Sequence, residues 1–262
     1  MLTEQRYEII LKLLEEKNSI TVAEVKDLLN TSESTVRRDI TALHNAGKLV
    51  KVFGGAVALD RTVATHEPTV EQKATVNVEA KQLVAARAAA LIQPEDFVYL
   101  DAGTTTASML SFLTEKSAIF VTNAVAHAKT LAAAGFRVYL VGGELKGSTE
   151  AVVGNQALMN LQSYHFTKGF FGTNGISRQS GLTTPDMNEA MVKKTAMGQC
   201  RECFILADHS KFGNVSSVTF GAFQSGTILT DGCPEEYKSS GNVVICGSTG
   251  ENCKPQFPVT TD

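Results

Sequence analysis

The chain has 262 residues, 43% of them hydrophobic, enough to bury a large core beside a smaller one. A net charge of -3 and a pI near 6.0 exclude a global electrostatic pull toward nucleic acid or anionic membranes. No apolar run approaches the roughly 18 residues that span a bilayer, and the N-terminus reads as a charged amphipathic helix in place of a signal peptide, so a cytoplasmic location without membrane contact is expected.

Ile9, Ile10, Leu13 and Leu14 repeat at helical spacing, and a second short helix carries Val22, Val25, Leu28 and Leu29 behind Thr21. After a tight connection at Asn30-Thr31, Ser32 is a suitable N-cap, and Val36, Ile40 and Leu43 form the inward face of a third helix. Its opposite face is short, polar and cationic: Ser34, Arg38 and Thr41 point outward, with Thr35 and Arg37 on the flanks. This is a helix-turn-helix pattern, in which the first residues of the second motif helix meet base edges in the major groove and an arginine can bond guanine O6 and N7 together. Lys48, Lys51 and the backbone of the Gly54-Gly55 turn make a basic β-wing suited to phosphate contacts, and Thr21 and Ser32 are counted with the same DNA surface. Double-stranded operator DNA is the expected partner. Residues 1–58 hold eight Lys or Arg and eight Asp or Glu, so the positive charge is local. Modest affinity per module is expected, with occupancy requiring a homo-oligomer, a dimer or a tetramer.

Residues 59–75 lose hydrophobic periodicity and read as a linker between a DNA-binding domain at 1–58 and a second domain at 76–246. A helix starts near Val78 and runs to Leu91-Ile92. Beyond Pro94, short apolar strands are expected at 97–100, 119–121, 137–141, 169–171, 203–207, 227–229 and 243–246, with helices at 105–113, 124–134 and 186–200 between them. Asp186 and Glu189 read as a capping box for the last helix. Strand and helix in alternation predict a parallel α/β sheet covered on both faces. Residues 247–262 have little periodicity and read as an exposed tail. The five cysteines include Cys200-Arg201-Glu202-Cys203, but no second pair stands at a zinc-ribbon interval, so reduced thiols and no bound metal are expected.

In open α/β sheets ligands gather at the carboxyl ends of the strands. Asp101 there leads into Gly103, Thr104, Thr105 and Thr106, a small-residue loop that offers backbone N–H groups and hydroxyls to a phosphate. Thr122-Asn123, Glu144, Thr173-Asn174 and the Asp208 to Lys211 segment end other strands with hydrogen-bonding and charged side chains. Together they imply a polyhydroxylated anion, a sugar phosphate. Neither G-x-x-x-x-G-K-[ST] nor G-x-G-x-x-G follows a strand, so no nucleotide cofactor is expected.

Ser34-Thr35-Val36-Arg37-Arg38-Asp39-Ile40, Gly54-Gly55-Ala56, Asp101-Ala102-Gly103-Thr104-Thr105, Val121-Thr122-Asn123, Gly142-Gly143-Glu144 and Ala207-Asp208-His209-Ser210-Lys211-Phe212-Gly213 occur in order, and residues 2–246 resemble the DeoR family of bacterial transcriptional regulators. The resemblance implies an α+β winged helix-turn-helix followed by an α/β sensor domain related to ribose-5-phosphate isomerase and CoA-transferase folds. It also implies repression of a sugar operon, relieved by a sugar phosphate. Gly172-Thr173-Asn174-Gly175-Ile176, the run from Gly181 to Asp186 and Asn188-Glu189-Ala190 resemble the fructose-operon repressors, whose expected ligand is fructose 1-phosphate. Lactose-operon repressors responding to tagatose 6-phosphate share much of this framework. The competing reading is an active sugar-phosphate isomerase carrying a DNA module. Isomerisation needs a carboxylate base at the substrate carbons. The loop at 172–176 presents Thr173 and Asn174 where related isomerases carry acids, while Glu144 and Asp208 remain as possible bases.

Overall fold

Helix α1 (Thr3–Lys17), strand β1 (Ser19–Thr21), α2 (Val22–Leu29) and α3 (Glu33–Asn45) lead into a hairpin of β2 (Leu49–Val52) and β3 (Gly55–Ala58). The computed structural model describes residues 3–17, 19–46, 48–52, 54–58 and 69–247, and the chain divides into two units, Met1–Thr62 and Val63–Asp262. In the first unit each helix boundary has a local cause. The Thr21 hydroxyl accepts the Glu24 N–H at 3.1 Å to start α2, and Asn30, at φ +47°, turns the chain out of it. Ser32 then caps α3 by accepting the Thr35 N–H at 3.3 Å. Ile10, Leu14, Val25, Val36, Ile40 and Leu43 close one apolar core beneath the three helices. Strand β1, too short to be read from the sequence, pairs antiparallel with β3 and completes a winged helix-turn-helix.

The second unit opens with α4 (Val70–Ala74) and α5 (Val78–Ala89). Its sheet is built in the order β4 (Phe97–Leu100), α6 (Thr104–Leu110), β5 (Ile119–Thr122), α7 (Val125–Ala133) and β6 (Arg137–Leu140). A hairpin of β7 (Glu144–Lys146) and β8 (Ala151–Val153), α8 (Asn155–Gln162), β9 (Phe166–Gly172), β10 (Gly175–Ser177) and β11 (Gly181–Thr184) follow. The chain continues through α9 (Met187–Gly198), β12 (Cys200–Leu206), β13 (Val218–Gly221), β14 (Thr227–Thr230), α10 (Glu235–Lys238) and β15 (Val243–Ile245). Seven strands form one sheet in the order β15-β14-β12-β9-β4-β5-β6, and every pairing in it is parallel. Side chains alternate across it as the pleat requires. Val98, Leu100, Phe120 and Phe170 share a core with α5, α6 and α7, while Tyr99, Val121, Phe171 and Ile205 share another with α8, α9 and the small sheet β10-β11-β13. The fold is thus a winged helix-turn-helix followed by an α/β domain with a parallel sheet.

Several expectations shift. Within the expected linker, residues 59–68 lie outside the described residues, but 70–74 are helical. Thr69 and Gln72 form a reciprocal capping box that starts α4, a signal hidden by the polar composition around it. The strand expected at 169–171 runs over Phe166–Gly172, and the helix expected at 105–113 ends at Leu110. Asp186 does cap α9, accepting the Glu189 N–H at 2.9 Å, but the Glu189 side chain turns elsewhere, so the capping box is only half made. The expected tail lies outside the described residues except for Gly247. Among the described residues no helix is long and apolar enough to cross a membrane.

Candidate functional site

On the first unit, Thr21, Ser32, Ser34, Arg37, Arg38, Lys48, Lys51 and Gly54 are exposed, and Thr35 and Thr41 are half-buried. Ser32 Oγ lies 2.9 Å from the hydroxyls of both Ser34 and Thr35, which makes a compact polar patch over the first turn of α3. One turn on, Arg37 reaches Glu33 at 3.5 Å and Arg38 lies exposed beside it. The wing is tied to this helix, because Lys51 Nζ donates to Thr41 Oγ1 at 2.9 Å. Gly54, at φ +82°, makes the wing turn. Gly55 is buried, and a Cβ there would stand 2.0 Å from the Ile20 carbonyl oxygen, so this glycine permits β3 to approach β1 and presents nothing outward. Asp39 supplies a feature unread from the sequence: buried on the α1 side of α3, it accepts Arg6 Nε at 2.7 Å and an Arg6 Nη at 3.0 Å. This two-point grip fixes the roll of α3 and hence where Arg37 and Arg38 point. An acid next to Val36 and Ile40 on an apolar arc was the available signal.

On the second unit, β4 continues to β5 on one side of the sheet and β9 to β12 on the other, so a crevice opens between the carboxyl ends of β4 and β9. A cavity of about 200 Å³ lies there. Gly103, Thr104, Thr105, Thr173, Asn174, Asp208 and Lys211, all expected ligand contacts, line it. The others do not. Asp101 lies directly beneath, where its carboxylate takes the Gly172 N–H at 3.0 Å and the ammonium of Lys193. Burial pushes the Asp101 carboxyl up, against the pull of that ammonium. Thr106, fully buried, donates to the Asp101 and Gly103 carbonyls at 2.7 and 2.9 Å and so holds the loop's curvature. Asn123 accepts from Tyr99 Oη and from the Ala102 N–H, both at 3.0 Å, and Thr122 accepts the Ala124 N–H at 3.1 Å, so both act behind the wall. Glu144 is exposed on β7 and lies outside the lining.

The cavity also draws on residues that the sequence did not mark as ligand contacts: Gln72 and Lys73 from α4, Lys81 from α5, Thr149, and Glu189 and Lys193 from α9. Among the described residues its lining has four lysines, Lys73, Lys81, Lys193 and Lys211, against two carboxylates, Glu189 and Asp208. Both carboxylates are engaged. Glu189 accepts Thr149 Oγ1 at 2.5 Å and Lys146 Nζ at 2.9 Å. Asp208 Oδ1 accepts Asn77 Nδ2 at 2.9 Å, the Ser210 N–H at 3.0 Å and the Ser210 hydroxyl. Burial pushes the Asp208 carboxyl up, but the Ser210 bonds, Lys211 and Asn77 outweigh it and leave it below the ordinary aspartate value. Burial lowers the Lys81 pKa, a cost that an anion beside it would offset. Glu189 and Lys193 stand four residues apart on the buried face of α9, and charges on a buried helical stripe were the signal that marked them. His127, from α7, is buried, and burial lowers its pKa to about 4 against the opposing effect of the nearby Gly103 backbone.

Family models match in both units: the DeoR-like helix-turn-helix domain at residues 6–62 and the DeoR C terminal sensor domain at residues 76–232. The chain is similar to the HTH-type transcriptional regulator FruR of Bacillus subtilis, 39% identical over 236 residues that cover 90% of this chain and 93% of that one. It is similar to the lactose phosphotransferase system repressor of Streptococcus mutans at 32% identity over 241 residues, 91% of this chain and 95% of the relative. Among solved structures, ribose 5-phosphate isomerase A of Methanocaldococcus jannaschii aligns with a TM-score of 0.40 at 15% identity, over 52% of this chain and 55% of that chain.

Proposed function

This chain belongs to the DeoR family of transcriptional regulators, and on that premise we propose that it represses a sugar-utilisation operon and leaves its operator when a phosphorylated sugar fills the cavity of the second unit. The observation that carries this reading is the cavity's composition, with lysine ammoniums for an anionic group set beside carboxylate, amide and hydroxyl groups for a polyol. Lys73, Lys81, Lys193 and the Gly103 to Thr105 loop are assigned to the phosphate end, and Asp208, Asn174 and Glu189 to the hydroxyls. Fructose 1-phosphate is the first candidate and tagatose 6-phosphate the second, in the order of likeness to the FruR regulator and to the lactose repressor.

The helix-turn-helix unit reads DNA through Arg37 and Arg38 and holds phosphates through Lys48 and Lys51. Because the eight Lys or Arg of residues 1–58 are balanced by eight Asp or Glu, a homo-oligomer on the operator supplies the affinity. On this reading the cavity binds its ligand without turnover, with the Asp208 carboxylate, held by Asn77 and Ser210, acting as a hydroxyl acceptor. Thr173 spends its hydroxyl on the Gly175 and Thr183 carbonyls at 2.9 and 3.1 Å, and Asn174 accepts from Thr184, so the loop offers no proton acceptor of carboxylate strength.

Thermal unfolding across a panel of hexose and pentose phosphates tests the reading. One phosphorylated sugar at 100 times its Kd should add about 2.7 kcal/mol of stability without being converted to product. A panel in which none raises Tm, or one in which the stabilising sugar is isomerised at an enzymatic rate, contradicts it.

A further inference from the structure

Helix α4 follows residues 59–68, the stretch of sequence that leads from the DNA-binding unit, and four residues of this region, Val70, Gln72, Lys73 and Val76, line the cavity. None of the residues within α4 is buried, so its place depends on a few bonds. The Val70 N–H donates to the Ser148 carbonyl at 3.3 Å, and the Lys81 ammonium donates to the Lys73 carbonyl. At the junction with α5, Asn77, held at φ +52°, donates to Asp208 Oδ1 at 2.9 Å. Two of these anchors, Lys81 and Asp208, are themselves cavity residues, 5% and 1% exposed. Asp208 has a further opening: its Oδ2 is buried and makes no hydrogen bond, with Lys211 Nζ 3.9 Å away. A buried carboxylate oxygen that lacks a donor beside a cavity is open to a ligand hydroxyl. Lys81 likewise has three N–H donors and gives one to Lys73.

We infer that α4 is the output element of the cavity. A ligand that places an anionic group between Lys73 and Lys81 and a hydroxyl on Asp208 Oδ2 fastens α4 to the cavity, and that fastening is what the preceding residues transmit. This rests on the sugar-phosphate reading and adds two points to it, the hydroxyl-accepting oxygen and the route of coupling. Equal affinity for the fastened and loose forms would shift nothing, so the ligand's contacts with α4 must be made in the fastened form only.

Hydrogen exchange on the full chain measures this, with fructose 1-phosphate, tagatose 6-phosphate and inorganic phosphate as probes. The sugar phosphate that raises Tm should slow exchange of the 70–76 amides by about tenfold, and inorganic phosphate, which lacks the sugar hydroxyls, should slow it less. Thr69→Ala, which removes the capping box from a residue outside the cavity lining, should leave the sugar-phosphate Kd within about threefold while reducing ligand-induced operator release about tenfold. A sugar phosphate that raises Tm and releases the operator, yet leaves exchange at 70–76 and release in Thr69→Ala unchanged, overturns the role of α4 and spares the sensor reading. A panel with no Tm shift overturns both.

Discussion

Arg38 and Lys51 share the exposed side of the first unit but should fail in different ways. Arg38 lies on the outward face of α3, so Arg38→Ala should cost about 1–3 kcal/mol on the operator and relax specificity at one base pair. Lys51, on the wing and bonded to Thr41, should on replacement by alanine weaken all sequences alike and lower the salt slope by about one. Salt titrations of both variants on operator and random DNA check the assignment, which a sequence-independent loss in Arg38→Ala would reverse. His127 gives a prediction of another kind. Its folded-state pKa is depressed to about 4 by burial, against an ordinary value near 6.5. The unfolded chain therefore takes up the proton first as pH falls. Stability is fully present above about pH 6.5 and is lost between there and about 4, by on the order of 3 kcal/mol. His127→Gln should flatten that window while leaving the steeper loss below about pH 4, where Asp96 and Asp208, both held below the ordinary aspartate value, are protonated. An unchanged slope from pH 6.5 to 4 would mean that His127 does not titrate there.

Two adjacent glycines separate packing from turn geometry at the scale of elements. Gly55→Ala forces a Cβ against the Ile20 carbonyl and should part β1 from β3, costing about 3 kcal/mol, whereas Gly54→Ala meets open space and pays only for its φ of +82°, about 1 kcal/mol. Denaturant unfolding of both variants checks this, and equal losses would show that the close approach is relieved elsewhere. The same scale explains what the sequence discloses. Helices α2 and α3 announce themselves through caps at Thr21 and Ser32 and a 3.6-residue apolar period, and central strands of the large sheet through buried runs such as Phe97–Leu100. Strands β1, β7, β8, β10 and β11 stand outside the strand–helix alternation that discloses equally short strands such as β4 and β15, and α4 hides its capping box in polar sequence. At the cavity, the loop residues Gly103, Thr173 and Asp208 were legible because strand ends are where ligands gather. Lys81 was not, and the charged stripe of Glu189 and Lys193 marks a buried helix face without disclosing the cavity, because all three reach it from helices whose docking only the tertiary structure fixes.

The whole molecule joins a neutral DNA-reading unit to a unit whose cavity collects lysines, and neither alone accounts for regulation. In the proposed reading, the arginines set where the protein acts and the cavity sets when. A coupling of about 1–3 kcal/mol between the two sites is sufficient, and it is reciprocal: operator DNA must weaken the ligand by the same factor that the ligand weakens operator binding. The most direct measurement is an operator-binding titration of the full chain with and without saturating fructose 1-phosphate, tagatose 6-phosphate and other hexose phosphates at fixed salt. The predicted result is that one of them lowers operator affinity roughly 5- to 150-fold while binding to random DNA changes little; specific operator binding that no hexose phosphate alters would contradict the account.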